Sequence, residues 1–374
     1  MRHPKIAIVA KSMLIGYGVD EIVNFLSKEL SRQGYDITVL ANKNEYSDRG
    51  YKTIAYNVAS LPFANEFWND HFLTDFRSYA PLAKILDDFD IIVTVDPMHI
   101  VGALAKIRLQ KKVIMYYFGV PPPKILDSFE RKTESLRQTI LWNLSFFFCD
   151  CLMSNSFHTR KSLPSYQEKR TIVNYHGIEH LVCHDHEKAT KFREELHIDD
   201  KVLILSVGRF STPYKGMTEI ARIFDVVQKK NPGVVLLLVG RGPIHSLGIQ
   251  SPMGNVKTLS NVSFETLKLC FAACDIYCTC SKWEGFDLPV VAAQANGKPV
   301  IAYDIGAHRE VVLNEKTGFL VENTSEFLRR LRSLVEDAEL RRRIGRRGRI
   351  AAQRFTWKES AKRFEQAIDI ACSK

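Results

Sequence analysis

No CxxC spacing occurs among the eight cysteines of this 374-residue chain, which fits a reducing compartment. Glycine and proline, at 20 and 14, are too scarce for a fibrous or low-complexity chain. Long apolar runs are also missing. The longest, Thr139 to Met153, is interrupted by Asn143 and Asp150 and falls short of the roughly 20 residues a spanning helix needs. Near the start, Ile6 to Ala10 is only of strand length and no small-residue cleavage site follows, so the expected location is the cytoplasm. With 45% hydrophobic and 25% charged residues, the composition excludes wholesale disorder. The length favours two domains over one. What stands in excess is positive charge, +10 at neutral pH, which suggests a polyanionic partner without choosing among nucleic acid, an acidic membrane and a phosphorylated substrate.

Short β-branched runs alternate with helical patterns, the mark of a parallel α/β architecture. Strands are expected at Lys5–Ala10, Asp36–Ala41, Asp90–Val95, Lys112–Tyr116, Cys151–Ser154 and Thr171–Tyr175. A helix is expected over Asp20–Ser31, where Ile22, Val23, Leu26 and Leu30 recur at helical spacing. A polar stretch without strand signal runs from about Ile178 to Asp200, and the pattern then restarts at Lys201–Val207, Gly233–Val239, Asp275–Cys280 and Pro299–Tyr303. Two doubly wound, Rossmann-like halves facing across a cleft follow, with ligand chemistry expected on the loops after the strands.

Two such loops hold unusual residues. In VGRFSTPYKG, Val207–Gly216, a buried run ends at Gly208 and is followed by Arg209 and, six residues on, Lys215. Two fixed cations on one glycine-bearing loop suit a diphosphate. In SKWEGFDLPVVAAQANGKPV, Ser281–Val300, Glu284-Gly285-Phe286 lies between a strand and a helix opened by Pro289 and closed by Gly297. A helix N-terminus after a strand is an anion site by geometry. A carboxylate beside it repels the anion, so Glu284 is better suited to gripping hydroxyl groups.

These motifs, with VGRGP at Val239–Pro243, IGAHREVV at Ile305–Val312, TGFLV at Thr317–Val321 and YHGIE at Tyr175–Glu179, resemble in content and order the retaining GT-B glycosyltransferases of the family-4 type. The resemblance is dense in the C-terminal half and looser in the N-terminal half. It implies a hexosyltransferase that moves a sugar from a nucleotide-diphosphate sugar to an acceptor with retention of configuration, without metal ion or cofactor. By the same resemblance Arg209, Lys215 and Glu284 are the catalytic set: the two cations neutralise the leaving diphosphate and Glu284 contacts the donor sugar. Gly16, Gly208, Gly285, Phe286 and Leu288 would line the donor. The implied domains are 1–178 on the acceptor side, a connection over 179–200, a donor domain over 201–354, and a terminal helix over 355–374 returning to the first domain. The pattern departs from the family at two places. The second glutamate of E-x7-E is replaced by Ala292, and the stretch Tyr117-Phe118-Gly119-Val120-Pro121 lacks the histidine relatives often carry there. The Ala292 substitution keeps open an alternative, a catalytically inert GT-B protein that binds a nucleotide or partner.

Other signals have plainer readings. His176, His180, Cys183, His184 and His186 crowd together but read as a polar linker rather than a metal site, since Gly177 breaks any helix that would align them. Cys270, Cys274 and Cys278 read as small buried hydrophobes. A dinucleotide-dependent oxidoreductase is disfavoured because the first loop lacks G-x-G-x-x-G and Ala41-Asn42 offers no acid for a ribose. Trp142 with Phe146–Phe148, beside Arg131, Lys132 and Arg137, reads first as a buried helix and second as a membrane-touching patch. The acceptor class stays open among sugar, lipid-linked and small-molecule hydroxyls. Nucleic acid is not expected. Ten arginines against four acids over Glu326–Arg354 read as a solvated face, with peripheral contact to an anionic membrane as the sharper alternative.

Overall fold

The computed structural model describes residues 4–47, 49–56, 76–198, 200–247 and 255–373. The chain divides into two compact units. The first comprises Met1–Val120, Thr133–Gly177 and Trp357–Lys374, and the second Pro121–Lys132 and Ile178–Thr356.

The first unit is built on seven strands: β1 (Lys5–Val9), β2 (Asp36–Ala41), β3 (Lys52–Ala55), β4 (Ile91–Val95), β5 (Lys112–Tyr117), β6 (Cys151–Ser154) and β7 (Thr171–Val173). They lie in the order β3-β2-β1-β4-β5-β6-β7, and every pairing is parallel. The second unit holds β8 (Val202–Val207), β9 (Val234–Gly240), β10 (Val256–Ser260), β11 (Ile276–Thr279), β12 (Val300–Tyr303) and β13 (Gly318–Val321). Their order is β10-β9-β8-β11-β12-β13, again all parallel. Central strands such as IIVTV and IYCT are buried along their whole length, which is why they read as continuous apolar runs rather than alternating ones. In both sheets the strand order reverses, between β1 and β4 and between β8 and β11, the position where open α/β sheets place ligand-binding loops.

Three strands lay outside the sequence expectation, β3, β10 and β13, and each is a sheet edge. An edge strand is covered less and needs fewer apolar residues, as KTIA and VKTLS illustrate. The polar stretch read as a bare connection contains a helix, His186–Glu195, capped by the Asp185 carboxylate on the Lys188 N–H at 2.9 Å. Its Ala189 and Phe192 are buried, and it packs on the helix Phe264–Ala273 of the second unit. The terminal helix Trp357–Ser373 packs on β5, β6, β7 and the helix Gly18–Arg32, with Trp357 stacked on Phe25 at 5.8 Å between ring centroids.

The buried-helix reading of the aromatic stretch holds for one face only. In the helix Phe129–Ser145 and the 3-10 turn Phe146–Phe148, Trp142 and Phe146 are buried. Leu136, Ile140, Leu144, Phe147 and Phe148 are exposed, Phe147 by 62%. Helical spacing puts Leu136, Ile140 and Leu144 on one face, turned to solvent, and Ser135, Gln138, Trp142 and Ser145 on the other, turned to the core. No helix among the described residues is long and apolar enough to cross a membrane.

Candidate functional site

The loop after β8 runs through Gly208, Arg209 and a 3-10 turn, Pro213–Lys215, into Gly216 and the helix Met217–Gln228. Gly216 has φ +67, and a Cβ there would lie 2.2 Å from the Cys280 carbonyl oxygen. Only glycine lets this loop rest against the end of β11. The loop after β11 is tied to it by the Lys282 N–H, which donates to the Tyr214 carbonyl at 2.7 Å.

That closeness joins two residues 69 positions apart. The Lys215 ammonium donates to both carboxylate oxygens of Glu284, at 2.7 and 2.9 Å. Glu284 is buried, while Lys215 keeps about a fifth of its side chain in solvent. Burial works to depress the Lys215 pKa, but the charge of Glu284, with Tyr214 and Asp287 behind it, prevails and the net direction is upward. Glu284 is also pushed up, by burial first and then by the Asp287 charge, with Lys215 opposing. The ammonium is therefore the firmer charge of the two. Arg209 donates to the Tyr214 hydroxyl at 3.1 Å and stands six residues before Lys215 on the same loop.

The remaining predicted residues of this unit cluster on the same loops. Gly208 receives the backbone of β9, donating its N–H to the Val239 carbonyl at 3.0 Å. Phe286 turns its ring inward against Phe355, centroids 5.5 Å apart, and Leu288 is buried at the start of the helix Leu288–Ala295. Ala292 on that helix is fully buried. Gln294 does not take the place of the missing glutamate, since its amide donates to the Thr317 hydroxyl at 3.3 Å. The N-terminus of this helix, expected as an anion site, carries an acid of its own: Asp287 caps it, Oδ1 accepting the Val290 N–H at 3.4 Å.

Asp287 and His308 lie within two of the motifs, where the sequence alone assigns them no role. Asp287 adopts a left-handed backbone, φ 69 and ψ 71. Its other oxygen meets His308 Nε2 at 2.8 Å, and His308 Nδ1 meets the Tyr303 carbonyl at 2.7 Å. The signal available was an acid directly before Leu-Pro, where a helix cap is expected. Nothing in the spacing linked it to a histidine 21 residues away.

Gly16 belongs to the first unit, on the loop after β1, with φ 84. That loop is braced by Asp20, whose Oδ2 accepts from the Leu14 N–H at 2.7 Å and the Ser12 hydroxyl at 3.1 Å. At the Tyr117–Pro121 stretch, the Phe118 N–H donates to Asp96 at 3.0 Å, and Asp96 also pairs with the buried His99. Burial pushes the Asp96 carboxyl upward against the pull of His99. A histidine does approach this stretch from elsewhere: His176 stacks on Phe118 at 5.7 Å, fully buried. The histidines and cysteine near residue 180 are dispersed, His180 lying edge-on to Phe264 and the Cys183 N–H donating to Asn296. Among the described residues no group of three or more His, Cys, Asp or Glu is placed to hold a metal ion. Burial holds the thiols of Cys270 and Cys274 up near about 12.

Residues 187–351 match the family described as glycosyl transferases group 1, and residues 17–182 match glycosyltransferase family 4. An uncharacterized glycosyltransferase of Haemophilus influenzae is 24% identical over 351 residues, 90% of this chain and 92% of that one. Two solved structures share the fold at 20% identity. Sucrose-phosphate synthase from Thermosynechococcus elongatus has a TM-score of 0.83, over 99% of this chain and 100% of its own. Anabaena Alr3699/HepE in complex with UDP and glucose has a TM-score of 0.80, over 98% and 100%.

Proposed function

The chain belongs to the GT-B glycosyltransferases of the family-4 type, and from that membership we propose that it transfers a hexosyl group from a nucleotide-diphosphate sugar to an acceptor hydroxyl, with retention of configuration. The observation that carries this reading is the Lys215–Glu284 pair at the strand-order reversal of the second sheet, with Arg209 on the same loop. An ammonium has three donors. Two are held by Glu284, which fixes the direction of the third toward a donor phosphate. Arg209 adds a planar fork suited to phosphate oxygens. As the glycosidic bond breaks, negative charge grows on the leaving diphosphate, and preorganised cations stabilise it without reorganising at that moment. The outer lone pairs of Glu284 accept from donor-sugar hydroxyls. Gly208 and Gly285 let the donor approach the backbone closely, and the buried Phe286 and Leu288 support the loop beneath it. No metal ion or cofactor has a part in this scheme.

The test is a screen of UDP-, GDP- and ADP-hexoses for nucleotide binding and release, followed by NMR assignment of the product's anomeric configuration. Release of one nucleotide and a retained product is the expected result. Absence of both binding and release across the panel would favour the inert alternative that Ala292 raises. The missing glutamate is expected to cost about 1.5–3 kcal/mol of ribose contact, so donor affinity is expected to be modest rather than nil.

Among acceptor classes, the exposed stripe Leu136, Ile140, Leu144, Phe147 and Phe148 supports a lipid-linked acceptor reached by peripheral contact with an anionic membrane. Phe147 stacks on exposed Tyr166 at 4.8 Å, and the neighbouring segment adds exposed Lys161, Lys169 and Arg170. Apolar side chains rimmed by cations are the composition of an interfacial surface. Co-sedimentation with phosphatidylglycerol vesicles, weakened by salt and by F147S/F148S, is expected. Equal recovery with and without vesicles would exclude this contact.

A further inference from the structure

The donor-site reading gives His308 no task, yet its ring is fully buried and bonded at both nitrogens. The Tyr303 carbonyl can only accept a hydrogen bond, and so can an ionised carboxylate. Nδ1 at 2.7 Å from that carbonyl and Nε2 at 2.8 Å from Asp287 Oδ2 therefore both need a proton. We propose that His308 is a buried imidazolium that positions the loop Glu284–Asp287 for the donor, a positioning residue rather than a catalytic one. Shifting one proton to Asp287 would satisfy the same distances, but Asp287 Oδ1 also accepts the Val290 N–H at a helix N-terminus, where an anion is favoured.

The backbone supports the same assignment. A left-handed conformation at position 287 is one that glycine adopts at least cost. An aspartate held there is explained by what its carboxylate joins, the helix Leu288–Ala295 on one side and His308 on the other. The segment bearing His308 grips the other end of the loop too, for the Ala307 N–H donates to the Glu284 carbonyl at 3.4 Å. Both ends of Glu284-Gly285-Phe286-Asp287 are thus held from one place. The charged groups facing His308 are Asp287 and Glu284 from the loop after β11, with Lys215 of the loop after β8 bonded to Glu284. On its own segment, Arg309 is engaged by Asp304 at 2.6 and 3.0 Å, and the Glu310 carbonyl accepts from Arg354. Burial alone would lower the His308 pKa; the bond and charge of Asp287, then the charge of Glu284, turn the net direction upward.

Removing the imidazolium leaves Asp287 as an unpaired buried anion beside Glu284 and beside the place assigned to a diphosphate. Donor binding is expected to suffer more than the chemical step, with H308A raising the donor KM about tenfold and changing kcat less. Because the anion left behind does the damage, D287G/H308A is expected to recover most of that KM, glycine also suiting the backbone. Wild-type donor affinity is expected to hold at neutral pH and weaken as the pH rises through the raised His308 pKa. The direct test is nitrogen-15 NMR of histidine-labelled protein at pH 7: two protonated ring nitrogens on one buried histidine support the assignment, and a neutral imidazole overturns it. A double variant as impaired as H308A also overturns it. The inference rests on the donor-site reading, yet the two fail separately. Loss of all nucleotide binding in the wild type would sink the donor site, while the NMR result would still judge His308. If H308A does not fold, D287G/H308A and the spectrum decide.

Discussion

Lys215 and Glu284 hold each other in a place where neither is stable alone. Substituting Ala for Lys215 leaves a buried carboxylate without its partner, which costs up to about 3–5 kcal/mol for a fully buried pair and less here because Lys215 is partly exposed. K215A is expected to lose stability in urea melts and to lower kcat/KM by roughly 10²–10³, the loss seen when one transition-state donor is removed. Adding E284Q is expected to restore much of the stability and none of the turnover, which separates the structural bond from the catalytic one. Buried His308 adds a pH signature. Its folded pKa lies above the ordinary 6.5, so its stabilising effect is complete below that value and is lost as the pH rises through the folded pKa. The gap between wild type and H308A in urea midpoint is therefore expected to narrow as the pH rises. A gap constant with pH would show that His308 only fills space. At this scale the sequence was legible where chemistry sits on one loop. Arg209, Lys215 and Glu284 stood out by following strands. The bonds Lys215–Glu284 and Asp287–His308 did not, because they join different loops and no local pattern encodes which loops meet.

Among the elements, the central strands were legible to within a residue or two, because burial on both faces writes a run of β-branched residues into the sequence. The edge strands β3, β10 and β13 were not: β3 and β10 bury less and carry Lys, Thr and Ser, and β13, though mostly buried, is four residues long and opens on a glycine. Helix contacts were hidden for a different reason: they depend on small residues that have no periodic signal. Gly345 in the helix Ala338–Ala352 lies so close to the helix Leu288–Ala295 that a Cβ would sit 1.9 Å from the Gly297 carbonyl oxygen. By helix propensity alone, alanine at 345 would gain about 1 kcal/mol. Overpacking against backbone costs about 1–3 kcal/mol, and a carbonyl cannot swing away as a side chain can. G345A is therefore expected to lower the melting temperature by several degrees. Since the displaced helix is capped by Asp287, it should also weaken donor binding. An unchanged or raised melting temperature would mean the two helices separate freely.

Over the whole chain, part of the +10 charge is occupied with the protein itself. In the arginine-rich segment, Arg330 reaches Glu315 and covers Phe319, Arg341 donates to the carbonyls of Leu334 and Val335, and Arg342 pairs with Glu339. These bonds close helix ends and cover ring faces, as a solvated basic face does, and they give the charge little to say about a substrate. The chain's more telling long-range feature is its last helix. Trp357, Phe364 and Ile368 are buried in the first unit, although the preceding residues belong to the second. Each such side chain contributes about 1.5–3 kcal/mol on burial, so the helix supplies on the order of 5–9 kcal/mol, comparable with the whole stability of a typical domain. Ending the chain after Thr356 is expected to unfold the first unit and leave the second folded. In urea melts this appears as one surviving transition of reduced amplitude. Limited proteolysis should yield a resistant fragment beginning near residue 178, with Pro121–Lys132 the one earlier segment that belongs to the folded unit. W357A, which keeps the helix and removes one anchor, is expected to shift only the first unit's transition, by about 3–5 kcal/mol. A truncated chain that melts like the intact one would place the first unit's stability in its own sheet. The terminal helix would then be a passive cover rather than part of the core.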